Sequence, residues 1–292
     1  LYQGAKPIPI DIEPDTLNLD PSLLTEKITP KTKAIIVIHV YGHPVDMGRV
    51  MQIAKSKGLF VIEDAAEAHG AEYLPAEARA QAGNGKKIGS LGDIACFSFY
   101  ANKMITTGEG GMIVTNNKEL ADKARSLGSL AYGDKNKFMH KDIGFNYRMT
   151  NLQAALGVSQ LKKIEKTIQK KRAIADFYNK KLSEIKDLQL PVEKPYAKNV
   201  YWMYHIILKG KLEGKREEIM NALKEKGIDT REAFIPFNMQ EIFINRGLTK
   251  KDDCPIANYV ALNGFYLPSG NSLKEEELKY VVGSLKEIIK NL

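Results

Sequence analysis

The chain has 292 residues, 43% of them hydrophobic, and a formal net charge of +8. That much apolar chain suits one large domain and a smaller one, and the basic balance favours anionic partners such as nucleotides and phosphates, or simply a solvated basic surface. The two cysteines, Cys96 and Cys254, form no CxxC pair, which argues against a disulfide framework and a zinc site and fits a reducing cytoplasm; no apolar run approaches a transmembrane span.

In chain order, Ala34 to Val40 is a short β-branched apolar run ending at Tyr41-Gly42-His43-Pro44, as a buried parallel strand and its exit turn read. Asp46 to Lys57 has helical spacing and stops at Gly58. Leu59 to Ile62 is a second strand running into Glu63-Asp64, so strand, helix and strand form a βαβ unit. Leu74 to Asn84, Ala-rich and bounded by Pro75 and Gly83, reads as a surface insertion. Ile94 to Phe99 and Met112 to Thr115 are two further strands, and Lys118 to Leu127 is a helix. The expectation is a mixed, mostly parallel sheet with helices on both faces.

Thr150 to Gln153 has capping-box spacing and opens a helix predicted to run from Asn151 to about Ile185. The positive charge is densest between Lys162 and Lys181, which reads as an exposed helix face. The basic and aromatic interleaving of a single-strand nucleic-acid binder is absent. Val200 to Leu208 reads as a strand, Arg216 to Lys226 as a helix ended by Gly227, and Leu273 to Leu292 as a terminal helix. The pattern changes inside the long helix, which puts a larger domain at 1–165 and a smaller α+β domain at 166–292.

Two residues carry chemistry at strand exits. Asp64 ends an apolar strand, where open α/β sheets bind ligands; on this feature alone it reads first as a helix cap, and otherwise as a metal ligand or a partner for a cationic ring nitrogen. Lys103 follows another strand in Phe97-Ser98-Phe99-Tyr100-Ala101-Asn102-Lys103. A lone lysine is usually a surface residue. Here Ser98 precedes it as a potential phosphate donor and Gly108-Glu109-Gly110-Gly111 follows as a turn of close backbone approach. A desolvated lysine able to form a Schiff base, an acid for the pyridinium nitrogen and phosphate donors are together what pyridoxal 5'-phosphate requires.

Three segments, VIEDAAEAHGAEY (Val61 to Tyr73), GSLGDIACFSFYANKMITTGEGG (Gly89 to Gly111) and GFNYRMTNLQAAL (Gly144 to Leu156), resemble the DegT-type family of nucleotide-sugar aminotransferases. The resemblance implies an α/β large domain of fold type I pyridoxal-phosphate enzymes. Lys103 would carry the cofactor as a Schiff base and act as base and acid of transamination. Asp64 would hold the pyridinium proton, Ser98 the cofactor phosphate, and Asn146 the phosphate of a neighbouring subunit in a homodimer with shared sites. Glu67 stands beside the ring hydroxyl, where many relatives carry glutamine. His69 reads as structural ahead of catalytic. Glutamate would donate the amino group to a nucleotide-linked 4-keto-6-deoxy sugar, GDP-4-keto-6-deoxymannose first. Arg231 and Gln240 are candidate substrate contacts.

Relatives of this kind extend further at the N-terminus. There they supply a helix N-terminus for the cofactor phosphate and an aromatic residue on its ring. Nothing upstream of Tyr2 does either job, so this chain is expected to hold the cofactor weakly. The competing expectation is a non-catalytic binding protein that keeps the fold; the Lys103, Asp64 and Ser98 set stands against it.

Overall fold

The computed structural model describes residues 1–76, 85–133, 136 and 138–292. Its contacts separate two compact units: Thr32–Ile168 with Tyr196–Lys198, and Leu1–Lys31 with Gln169–Pro195 and Asn199–Leu292. Residues 1–31 thus pack with the C-terminal portion, whereas the sequence reading groups them with the first domain. Among the described residues no helix is long and apolar enough to cross a membrane.

After a one-turn helix α1 (Leu24–Lys27), the first of these units is built on β1 (Ala34–Ile38), α2 (Met47–Lys57) and β2 (Phe60–Asp64). Asp46 caps α2 by accepting the Arg49 N–H, and Gly58 ends it at φ 65°, the left-handed turn that glycine adopts without penalty. Two short strands, β3 (Glu72–Tyr73) and β4 (Lys86–Lys87), pair antiparallel. The insertion read at Leu74 to Asn84 falls, from 77 to 84, outside the described residues. Next come β5 (Ile94–Ser98), β6 (Gly111–Val114) and α3 (Lys118–Gly128). The sheet order is β1-β2-β5-β6, parallel across the first three strands and antiparallel at the last. Val37, Val61 and Ala95 bury one sheet face, and Met47, Val50 and Ala54 bury one side of α2. Ile36, Ile38 and Phe60, pointing the other way, are exposed.

The helix predicted from Asn151 to Ile185 is two helices, α4 (Asn151–Leu161) and α5 (Ile164–Leu182). No Gly or Pro marks the break. The Lys163 N–H turns back on the Gln160 carbonyl at 2.9 Å, tightening the chain between a helix with no buried residue and one whose Ile168, Ile174, Ala175, Tyr178 and Leu182 are buried. The Thr150–Gln153 capping box is present.

The second unit contains β7 (Leu188–Gln189), and β8 (Ala197–Lys198) returns to pair with β3 of the first. There follow β9 (Tyr204–Leu208), α6 (Arg216–Glu225), β10 (Arg231–Glu232), α7 (Glu241–Ile244), α8 (Pro255–Asn263), β11 (Gly264–Leu267) and α9 (Glu275–Lys290). The strand read from Val200 begins only at Tyr204, because Tyr201 takes φ 48° and its N–H is held by the Asn199 side chain at 2.8 Å. The sheet β10-β11-β9-β7 packs with α5, α6 and α9 around Tyr178, Ile206, Leu208, Leu223, Phe265 and Leu285. Lys171 is buried against the Trp202 and Ser269 carbonyls at 2.8 and 2.7 Å. Asp11 caps α8 from far along the chain, accepting the Ile256 and Ala257 N–H groups at 2.9 and 3.0 Å.

Candidate active site

Across the three parallel strands Ile38 lies beside Asp64, and Asp64 beside Cys96, with β5 running two residues further to Ser98. The segments leaving this edge carry the chemistry, as expected at the carboxyl ends of a parallel sheet. From β2, Asp64 closes a turn by accepting the Ala66 N–H at 3.1 Å. The capping geometry foreseen for Asp64 is therefore made at a turn rather than at a helix. The turn brings Glu67 back over the strand ends. Its Oε2 accepts the Tyr41 backbone N–H at 2.8 Å, and its Oε1 lies 3.7 Å from Lys103 Nζ.

Lys103 is set by the segment after β5. The Ser98 hydroxyl accepts the Tyr100 N–H at 3.2 Å, and the Lys103 N–H bonds the Tyr100 carbonyl at 3.0 Å. Phe99 anchors both ends of the loop, accepting from Thr107 N–H and donating to the Gly110 carbonyl. Gly110 sits at φ 128°, which favours glycine, and a Cβ there would crowd Thr107 and Met149. Ser98 and Cys96 alternate along β5 onto the sheet face that Asp64 shares. Acid, hydroxyl and lysine thus converge on one edge.

Burial pushes the Glu67 carboxyl up to about 7, against the opposing Tyr41 N–H and Lys103. Burial likewise draws Lys103 below the ordinary lysine range, against the pull of Glu67 and Asp64. His69 is buried beside the rings of Phe97 and Phe99, at 5.3 and 6.0 Å, and burial lowers it to about 4. It is uncharged at neutral pH and packs as a core side chain.

Beneath the site lies a cluster that sequence reasoning missed. Glu63 is fully buried on the opposite sheet face. Its Oε1 accepts the Leu91 and Gly92 N–H groups at 2.8 and 2.6 Å, and its Oε2 accepts Gly89 N–H at 2.9 Å and faces His39 Nε2 at 3.2 Å. His39 Nδ1 accepts the Val45 N–H, which places the ring proton on Nε2 as the donor to Glu63. The available signal was the alternation of β2, which turns Glu63 inward between Ile62 and Asp64.

Asn146 stands apart from these residues in sequence, on an exposed strand-like segment bridged to Ser129. Around it Ile143 and Tyr147 are exposed, as is Leu152 on α4, and Phe145 stacks on Tyr147 at 4.9 Å. Arg231 and Gln240 belong to the second unit: Arg231 pairs with Tyr266 at the edge of its sheet, and Gln240 Nε2 donates to the Ile235 carbonyl at 3.1 Å.

The donor set fits pyridoxal phosphate: an amine for its carbonyl, a carboxylate for its ring cation and a hydroxyl for its phosphate. The architecture is that of the fold type I pyridoxal-phosphate-dependent transferases, an α/β sheet of mostly parallel strands with helices. The chain superposes on PseC of Helicobacter pylori, an aminotransferase, with a TM-score of 0.91 at 27% identity, covering 100% of this chain and 76% of that one. The chain belongs to the DegT/DnrJ/EryC1/StrS aminotransferase family, whose model matches residues 1–286. It is 41% identical over 286 residues to a GDP-perosamine synthase of Escherichia coli O157:H7, covering 98% of this chain and 74% of that protein. It is 38% identical over 292 residues to a GDP-perosamine synthase of Caulobacter vibrioides, covering 99% and 74%. The protein is a pyridoxal-phosphate-dependent sugar aminotransferase.

Proposed function

We propose that this protein moves an amino group from glutamate to a nucleotide-linked 4-keto-6-deoxy sugar, GDP-4-keto-6-deoxymannose first, as a cytoplasmic step in making an O-antigen-type polysaccharide. The observation that carries the reading is Lys103, largely buried after the end of β5 and facing Glu67, with Ser98 at the end of that strand and Asp64 at the end of the neighbouring one. The similarity to GDP-perosamine synthases supports the choice of nucleotide and sugar.

Bound pyridoxal phosphate supplies a carbonyl that takes up the amino group and a cationic ring that draws electrons from the carbon losing its proton. Lys103 attaches the cofactor and moves the proton at Nζ; its burial favours the neutral, nucleophilic amine. The Asp64 carboxylate holds the proton on the ring nitrogen. The Ser98 Oγ accepts from Tyr100 N–H, which leaves its own O–H to donate to phosphate. Glu67 would stand toward the ring hydroxyl. These residues all fall within 32–168; Arg231 and Gln240 remain the candidate substrate contacts.

The working unit is a homodimer in which Asn146 reaches the partner's phosphate site. The exposed apolar side chains of Ile143, Tyr147 and Leu152 beside it support an interface there. Borohydride reduction of the loaded protein followed by peptide mapping tests the assignment: a pyridoxyl label on Lys103 is expected, and a label only on another lysine refutes it. Amination of the GDP-linked keto sugar, read by mass, tests the substrate.

A further inference from the structure

Glu67 is an unusual carboxylate to leave beside a cofactor lysine. Its side chain is 12% exposed and that of Lys103 is 11%. One oxygen is committed: Oε2 accepts the N–H of Tyr41, a buried residue held at φ 54° in the left-handed region that tyrosine seldom adopts. That strained turn fixes the donor, and the donor fixes the carboxyl, leaving Oε1 turned to Lys103 Nζ at 3.7 Å. The charged groups acting on Glu67 are Lys103, from the segment after β5, and Asp64, from β2. Lys103 in turn acts on His69, which is uncharged at neutral pH. Burial raises the carboxyl and lowers the ammonium, so the two proton affinities approach each other.

We propose that Glu67 is the proton partner of Lys103, its Oε1 taking a proton from the lysine Nζ and returning it during the reaction. In the forward transfer an N–H bond breaks and leaves its electron pair on nitrogen, while an O–H bond forms on the carboxylate. An ammonium and a carboxylate become an amine and a carboxylic acid, with no change in net charge and no other reactant. The exchange gives Lys103 the free electron pair that attachment and proton abstraction both require. It also explains why an acid serves here: an amide accepts the Tyr41 N–H equally well but holds no exchangeable acid proton. The inference rests on Lys103 being the attachment lysine.

The test compares wild-type holoenzyme with Glu67→Gln. The wild type is expected to show a pH transition in both kcat and the absorbance band of the bound cofactor. In the variant both transitions are lost, kcat falls roughly 10²-fold, and KM for the nucleotide sugar stays near wild type. A variant with the wild-type pH profile and spectral titration overturns the proposal. Retention of the borohydride label on Lys103 in that variant shows that the attachment reading survives separately. Should Glu67→Gln fail to fold, infrared difference spectra of the cofactor-free wild type and of Lys103→Ala decide. A protonated-carboxyl band that vanishes as pH rises through neutrality, and whose midpoint moves when Lys103 is removed, supports the proposal. Absence of the band, or an unmoved midpoint, overturns it.

Discussion

Replacing Glu63 by glutamine changes one atom and tests the buried scaffold of the site. Four donors converge on two carboxylate oxygens: the N–H groups of Gly89, Leu91 and Gly92, and His39 Nε2. Whichever way the amide turns, its NH2 faces two donors. Two bonds to a buried charge are lost, each contributing roughly 1.5–3 kcal/mol, and a broken buried ionic site costs about 3–5 kcal/mol. Against a typical total of about 5–15 kcal/mol, such a loss is severe. In urea, with a slope of about 2–3 kcal/mol/M, the midpoint should fall by roughly 1–2 M with the slope unchanged.

Glu63 also gives the loss a pH signature. Burial opposes its ionisation, but the bonds from His39, Gly92 and Gly89 outweigh burial and hold the carboxyl below the ordinary glutamate value of 4.5. Its contribution is therefore fully present above 4.5 and lost as pH falls through the depressed folded value. The gap between wild type and variant should narrow in acid. A variant within about 1 kcal/mol of wild type at neutral pH, below the cost of even one such bond, or a gap that stays constant into strong acid, refutes this account.

Asp64→Asn should keep the cofactor on Lys103, read by absorbance, yet lose roughly 10²-fold or more in turnover; near-normal turnover removes Asp64 from the ring nitrogen. Asn146→Ala should weaken cofactor retention in a dimer that persists at micromolar concentration by sedimentation, and an active monomer contradicts the shared site. Asp11→Ala removes the distant cap of α8 and should cost about 0.5–2 kcal/mol, seen as a lower Tm; an unchanged Tm shows that water replaces the cap without loss.

The strands were legible where β-branched residues cluster, as in Ala34 to Ile38 and Phe60 to Asp64, because burial on a parallel sheet demands that composition. Asp64, Ser98 and Lys103 were legible because each ends or follows such a run. The α4–α5 break was not: Lys162 and Lys163 are good helix formers, and nothing in their composition marks the turn of the Lys163 N–H back onto Gln160. Tyr201 hid a left-handed residue inside an aromatic, strand-like run. The Glu63 cluster depends on backbone N–H groups, which carry no side-chain signature, and Tyr41 contributes to the site in the same way, through its main chain.

Asp11 and its neighbours close the second unit around residues more than two hundred positions downstream. During vectorial synthesis residues 1–31 therefore wait without their packing partners until 169–195 and 199–292 follow. Until Ile256 and Ala257 emerge from the ribosome, the Asp11 carboxylate has no helix to cap. Residues 1–31 are thus made well before the segment they pack with, and reach their native contacts only after it has followed.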